Sequence, residues 1–162
     1  GEIDVRKREA LDAAQTLGVE EVFWGGYTDT RLPFYENVIT EIEKIVRKTK
    51  PTFVLVHHAK DTHQDHRHVA TCTVAATRNV ANVLFYEGPT SFSFEPNVFV
   101  DIGKSLKYKF AGLSSHKSQI LRTNVKSQSI LDIAKATAMF RGTQCRIHYA
   151  EAFCSLRMMI LP

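Results

Sequence analysis

Five of the seven histidines fall within twelve residues, His57-His58-Ala59-Lys60-Asp61-Thr62-His63-Gln64-Asp65-His66-Arg67-His68. Imidazole is the commonest metal ligand and the side chain best suited to moving protons near neutral pH. Within this stretch His63, Asp65 and His66 could supply a proton-transfer group, an orienting carboxylate and a metal-binding nitrogen. Taken alone, His63-Gln64-Asp65-His66 is as compatible with a solvated polar loop as with a site. The residues ahead of it favour the site. Thr52-Phe53-Val54-Leu55-Val56 is an apolar, β-branched run that reads as a buried strand, and His66–Val80 reads as a helix. The cluster then lies at the C-terminal end of a strand, where open α/β sheets collect ligands. His57, His58 and His68 read as structural or exposed.

The remaining elements follow from periodicity and breakers. Glu2–Leu17 is expected to be a helix whose apolar positions are Val5, Leu11, Ala14 and Leu17, stopped by Gly18. Val19–Trp24 reads as a strand, followed by a Gly25–Arg31 loop that Pro33 punctuates. Tyr35–Lys48 is an amphipathic helix with Val38, Ile42, Ile45 and Val46 inward. Asn82–Tyr86 and Asn97–Ile102 read as strands around a polar, aromatic loop at Glu87–Pro96. Ser105–Gly112 enters a helix, His116–Gln119 lies in or near it, and Ser129–Phe140 is helical. Tyr149–Met159 is an apolar closing segment whose type the pattern leaves open. The alternation implies an α/β fold with a mostly parallel sheet covered on both faces. Val22, Phe23, Val54, Leu55, Val56, Val83 and Phe85 are the expected core, with Trp24 keeping one wet edge.

Composition narrows the class. A chain of 162 residues with 44% hydrophobic and 23% charged residues suits one globular domain over residues 1–162, with no linker or repeat to divide it. No apolar run approaches the roughly 20 residues of a membrane helix, and no leader is visible at the start. The formal charge of +4 comes from scattered Lys and Arg, which argues against a nucleic-acid surface. Three cysteines without metal-type spacing fit buried thiols in a reducing, cytoplasmic setting. The opening is unusual. A crossover helix needs a strand on each side, yet the first element is a helix and Gly1 is not a translation start. The expectation is that the chain is the later part of a larger domain whose N-terminal strands are missing.

Arg6-x-x-Glu9-Ala10, Ala13-Ala14-x-x-Leu17-Gly18-Val19, Asp29-x-Arg31-Leu32, Pro51 through His63-x-Asp65-His66, His116-x-Ser118-Gln119 and Tyr149-Ala150-Glu151-Ala152-Phe153 occur in this order. The series resembles the LmbE-like or PIG-L family of N-acetylglucosaminyl de-N-acetylases. The resemblance implies a Rossmann-like fold and a single zinc ion that activates water against a sugar acetamide. It implies His66 as a zinc ligand, His63 as the group that stabilises the oxyanion or protonates the leaving amine, and Asp65 as the acid that orients His63. It also implies Arg6 and Asp29 as contacts to the sugar or its aglycone. Glu9 is expected to support Arg6 or cap local structure. The His116–Gln119 and Tyr149–Phe153 signatures are expected to be structural. The family's first motif, His-Pro-Asp-Asp, which provides the other zinc ligands and the general base, does not occur in this chain.

Amide hydrolysis needs a strong nucleophile, a stabilised oxyanion and a proton for the departing amine. Bound zinc lowers the pKa of water to roughly 7 and polarises the carbonyl. With one confident ligand, this chain is expected to bind zinc, or another divalent metal, weakly and to be inactive alone. The alternatives are a saccharide-binding or interaction module of the same fold, and a site completed by a second copy or by segment exchange at an open sheet edge. The expected ligand is a small amino sugar, with no nucleic-acid or membrane partner.

Overall fold

A computed structural model describes residues 2–123 and 125–160 of the chain; Gly1, on which part of the larger-domain expectation rested, lies outside them. The elements are α1 Glu2–Leu17, α2 Tyr35–Thr49, β1 Phe53–His57, α3 Gln64–Ala76, β2 Asn82–Tyr86, β3 Val98–Asp101, α4 Leu106–Ser115, α5 Ile130–Gln144 and β4 Ala150–Arg157. The sheet order is β1-β2-β4-β3. The fold is mixed α/β. β1 and β2 are parallel, in a register from Phe53 opposite Asn82 to His57 opposite Tyr86. β4 runs antiparallel to β2, so the sheet is mixed rather than mostly parallel. No helix among the described residues is long and apolar enough to cross a membrane.

The expected strand at Val19–Trp24 is not formed. The segment is extended coil in which Val19, Phe23 and Trp24 are 48%, 37% and 50% exposed. A strand is stable only when its backbone groups are paired, and no described strand lies beside this one to pair with it. Phe23 therefore leaves the expected core, and Val22 is half-buried.

The backbone gathers into two compact units. The first comprises Gly1–Trp24 and Val100–Glu151, in which α1 packs on α4. Gly18, at φ +71°, closes α1 with its N–H on the Gln15 carbonyl while the Val19 N–H reaches Ala14. This paired pattern satisfies carbonyls that a helix end leaves free. The buried residues of α1 are Glu9 and Ala13, whereas Val5, Leu11 and Leu17 are 40%, 48% and 52% exposed, contrary to the apolar stripe read from the sequence. The Glu9 carboxylate accepts from both the N–H and the hydroxyl of Ser118, each at 2.7 Å. These bonds hold its pKa below the ordinary value, against the opposing effect of burial. Glu9 thus anchors the turn carrying the His116–Gln119 signature through Ser118. α5 begins with a reciprocal cap between Ser129 and Asp132 and ends in a tight turn. There a Cβ added at Gly142 would lie 2.6 Å from the carbonyl oxygens of Ile147 and His148.

The second unit comprises Gly25–Phe99 and Ala152–Pro162. α2 packs on α3, and α3 on β1. Its core includes Val38, Val56, Ala70, Cys72, Ala76, Val80, Val83 and Leu84. Val56 and Val83 are buried as expected. Leu55 is not: it is 53% exposed and Phe53 is 54% exposed. β1 is an edge strand with alternating burial, so only its Val54 and Val56 side is inward. Cys72 is fully buried. In the Tyr149–Phe153 signature Ala150, Ala152 and Phe153 are buried, as packing residues.

Replacing Gly142 by Ala forces a methyl group against two backbone carbonyls. The expected cost is about 1–3 kcal/mol, read as a lower urea midpoint; an unchanged midpoint would show that the 142–148 backbone yields freely.

Candidate active site in the histidine loop

β1 delivers His57 at its C-terminal end, and α3 begins at Gln64 with His63 as its N-cap. The cap is made by the imidazole itself: His63 Nδ1 accepts the Asp65 N–H at 3.2 Å. A neutral ring that accepts at Nδ1 carries its proton on Nε2. His63 Nε2 faces Asp29 Oδ1 at 3.8 Å, with the His63 side chain 36% exposed and that of Asp29 70% exposed. The structure thus brings His63 and Asp29 together.

Asp65 sits beside them with a different set of contacts from the one implied by the resemblance. Its carboxylate accepts the Thr30 N–H at 2.8 Å, and Gln64 Nε2 donates to the Thr30 carbonyl at 2.8 Å. Thr30 adopts φ 62°, a left-handed conformation unfavourable for a β-branched residue. The two bonds at the head of α3 clamp this turn and so set where Asp29 stands. The carboxylate beside the His63 ring is that of Asp29, whereas the Asp65 carboxylate holds the Thr30 turn. Thr30, Leu32, Tyr35, Gln64, Asp65, Arg67 and His68 border an open cavity of about 300 Å³ on this face. Arg6 belongs to the first unit, on α1, where it pairs with Glu2 at 3.3 Å.

His66 is held from three directions. His57 stacks on it at 3.9 Å between ring centroids and 2° between planes, and His63 stacks at 4.6 Å and 21°. Its Nδ1 lies 3.3 Å from Asp61 Oδ2. The contact is close but off-line, since this buried nitrogen makes no well-aligned hydrogen bond. Asp61 is fully buried. Oδ1 accepts from the His63 N–H at 2.8 Å and the Thr90 hydroxyl at 2.7 Å, and Oδ2 accepts from the Ser91 hydroxyl at 3.1 Å. Burial pushes the carboxyl pKa up, but the hydrogen bonds from His63, Thr90 and Ser91, with the His66 ring close by, outweigh it and hold it at about 2.

His57 is kept neutral. Burial first, and then the neighbouring His66, lowers its pKa to about 4; its Nε2 lies 3.2 Å from the Tyr86 hydroxyl. His58 packs edge-on to Phe94 at 5.1 Å, and His68 stacks on Tyr35 at 4.2 Å.

Sequence reasoning did not find Asp61, His57 or Tyr86 as parts of this site. Asp61 carried a local signal, because an Asp two residues before His63 is spaced to accept that residue's N–H in an Asx turn. His57 and Tyr86 meet only through the β1–β2 register, which no local pattern reveals.

Among the described residues, no three or more His, Cys, Asp or Glu side chains form a group that could hold a metal ion. A catalytic zinc takes about three protein ligands. The described donors therefore do not make a zinc site on their own.

These environments set a pH dependence. The His57 pKa falls from 6.5 to about 4 on folding, so the unfolded chain binds more protons between these values. Stability should be full above pH 6.5 and fall toward pH 4, and His57→Gln should flatten that slope in urea midpoints taken at successive pH values. The depressed Asp61 pKa adds stability that is present above its ordinary 3.8 and is lost as pH falls through about 2.

Comparison with known proteins adds the lineage. A family model described as PIG-L, GlcNAc-PI de-N-acetylase, matches residues 1–77. The uncharacterized deacetylase YaiS of Escherichia coli (strain K12) is 32% identical over 121 residues, covering 70% of this chain and 65% of that protein. The diacetylchitobiose deacetylase of Thermococcus kodakarensis is 28% identical over 131 residues, covering 70% of this chain and 49% of that protein. The chain thus spans about half to two thirds of these relatives' length. The solved structure of N,N'-diacetylchitobiose deacetylase from Pyrococcus horikoshii matches the fold with a TM-score of 0.79 at 22% identity, over 94% of this chain and 63% of that one. Residues 1–77 are thus similar to the PIG-L family, in keeping with the ordered motifs, and the mixed α/β fold matches that of a solved deacetylase.

Proposed function

We propose that the protein serves in removing an acetyl group from an N-acetylglucosaminyl-type amide. The observation that carries this reading is the pairing of His63 Nε2 with Asp29 beside His66, at the C-terminal end of a parallel strand. The deacetylase relatives support the substrate class. Expulsion of an amine from a tetrahedral intermediate requires a proton. His63, with Nδ1 occupied by the Asp65 N–H, holds its proton on the outward nitrogen, where it can reach a leaving amine or an oxyanion. Asp29 is exposed enough to meet sugar hydroxyls and close enough to steady the imidazolium that His63 becomes. Asp65 sets this arrangement through Thr30. Arg6 is assigned to the sugar or its aglycone on the family resemblance alone.

Zinc is the metal proposed for the reaction, with His66 as the ligand this chain contributes. The described donors fall short of a complete set, so the chain alone is proposed to hold zinc weakly and to be inactive. We place its work in the cytoplasm, on a small amino sugar, with site completion by a second copy or segment exchange as the oligomeric alternative.

The shortage of donors favours a second reading, a saccharide-binding module that needs no metal. Titration of the purified chain with an N-acetylglucosaminide, with and without chelator, together with zinc content and acetate release, separates the readings. The expected result is millimolar sugar binding weakened several-fold by Asp29→Ala, zinc well below one per chain, and no acetate release. Binding that is insensitive to chelator, with a longer form of the protein equally inactive, would favour the module. Stoichiometric zinc with turnover would overturn the inactivity, and absence of sugar binding would overturn the substrate class.

A further inference from the structure

Asp61 is the least exposed polar group of the histidine loop, and its two oxygens have different tasks. Oδ1 is committed to the backbone N–H of His63 at 2.8 Å and to the Thr90 hydroxyl at 2.7 Å. Oδ2 receives the Ser91 hydroxyl at 3.1 Å and stands 3.3 Å from His66 Nδ1. The surrounding loops are joined independently of the carboxylate: the Thr62 N–H bonds the Thr90 carbonyl and the Phe92 N–H bonds the Lys60 carbonyl. The carboxylate is therefore held in a fixed orientation with Oδ2 beside the His66 ring, 3.3 Å from Nδ1, in a contact that is close but not well aligned.

Neutral imidazole has one protonated and one bare nitrogen, and the partner of one decides the state of the other. A carboxylate only accepts. An unprotonated Nδ1 at 3.3 Å from Oδ2 would set two lone pairs against each other in a buried place, an arrangement that costs free energy without any compensating bond. The stacking of His57 and His63 on the two faces of His66 restrains the ring from tilting away.

We propose that Asp61 is a positioning residue that holds His66 as the Nδ1–H tautomer, so that Nε2 presents a free lone pair. Use of that lone pair as a metal ligand rests on the function proposed above; the tautomer does not. Asp61→Asn turns the argument into a directional test. The amide oxygen must stay where Oδ1 is, because the His63 N–H and the Thr90 hydroxyl donate there. The amide nitrogen then takes the place of Oδ2 and donates toward Ser91 and His66. His66 must accept at Nδ1, and its proton moves to Nε2.

The experiment is nitrogen–proton correlation NMR of the full chain labelled at histidine nitrogens, at pH 8. Wild-type His66 should show a protonated-type Nδ1 and a bare-type Nε2. In Asp61→Asn the two resonance types should exchange, while His63 keeps its bare-type Nδ1 as an internal check on the loop. Wild-type His66 with a bare Nδ1 overturns the proposal without recourse to any variant, so a variant that fails to fold leaves it testable. A folded Asp61→Asn in which His66 keeps its wild-type pattern also overturns it. Failure here leaves the sugar-binding prediction intact, and failure of sugar binding leaves the tautomer intact.

Discussion

A carboxylate with no access to water organises this site. Burying an ion without partners is prohibitively costly, and Asp61 meets that constraint by gathering donors from two separate loops. The consequence reaches beyond one residue. The His63 N–H is drawn inward, which sets the entry into α3. The Thr90–Ser91 segment is drawn against the loop after β1, forming the isolated bridge between Asp61 and Ser91. His66, on the first turn of α3, then has its inner ring nitrogen against a fixed negative charge. One side chain thus serves the helix entry, the neighbouring loop and the imidazole together, while backbone bonds between Thr62 and Thr90 and between Phe92 and Lys60 join the loops without it.

A second layer of contacts converts this rigid interior into an outward-facing pair. Helix N-termini leave backbone N–H groups without partners, and α3 satisfies one with the His63 ring. Capping by an imidazole nitrogen selects the tautomer as well as the orientation, leaving the protonated nitrogen outward. The next residues, Gln64 and Asp65, grip Thr30 by its carbonyl and its N–H. Asp29 owes its place beside His63 to those two bonds. Secondary structure, capping and the placement of Asp29 beside His63 are thus one set of interactions here, with Asp65 holding the turn.

The first unit has an analogous device. Glu9 is one of two buried residues of α1, and it accepts two bonds from Ser118. A motif that could suggest chemistry, His116-Lys117-Ser118-Gln119, is instead tied to a helix by a carboxylate. Both units use an acid within a helix or loop to capture backbone far away in sequence. The fold by itself does not assign a reaction, because one architecture hosts many; the side chains on the β1–α3 loop carry the functional reading.

Local pattern was sufficient for α1, α2, β1, β2 and the entry into α3, since these depend on periodicity, breakers and β-branched runs that act within a few residues. It also located the histidine loop at a strand's C-terminal end, and the ordered motifs pointed to the family. It failed at Val19–Trp24, where strand propensity is real but no described neighbour offers hydrogen bonds. It failed at Leu55, because whether the second face of β1 is covered depends on what packs there. Which carboxylate faces which imidazole was likewise beyond it. Asp29 and Asp65 both lie in plausible motifs, and only the Thr30 clamp, joining residues 35 apart in sequence, determines that Asp29 takes the place beside His63. Residue types and short spacings are properties of the chain; burial, register and the pairing of charges across loops are properties of the folded molecule, since each depends on groups that meet only when distant segments close on one another.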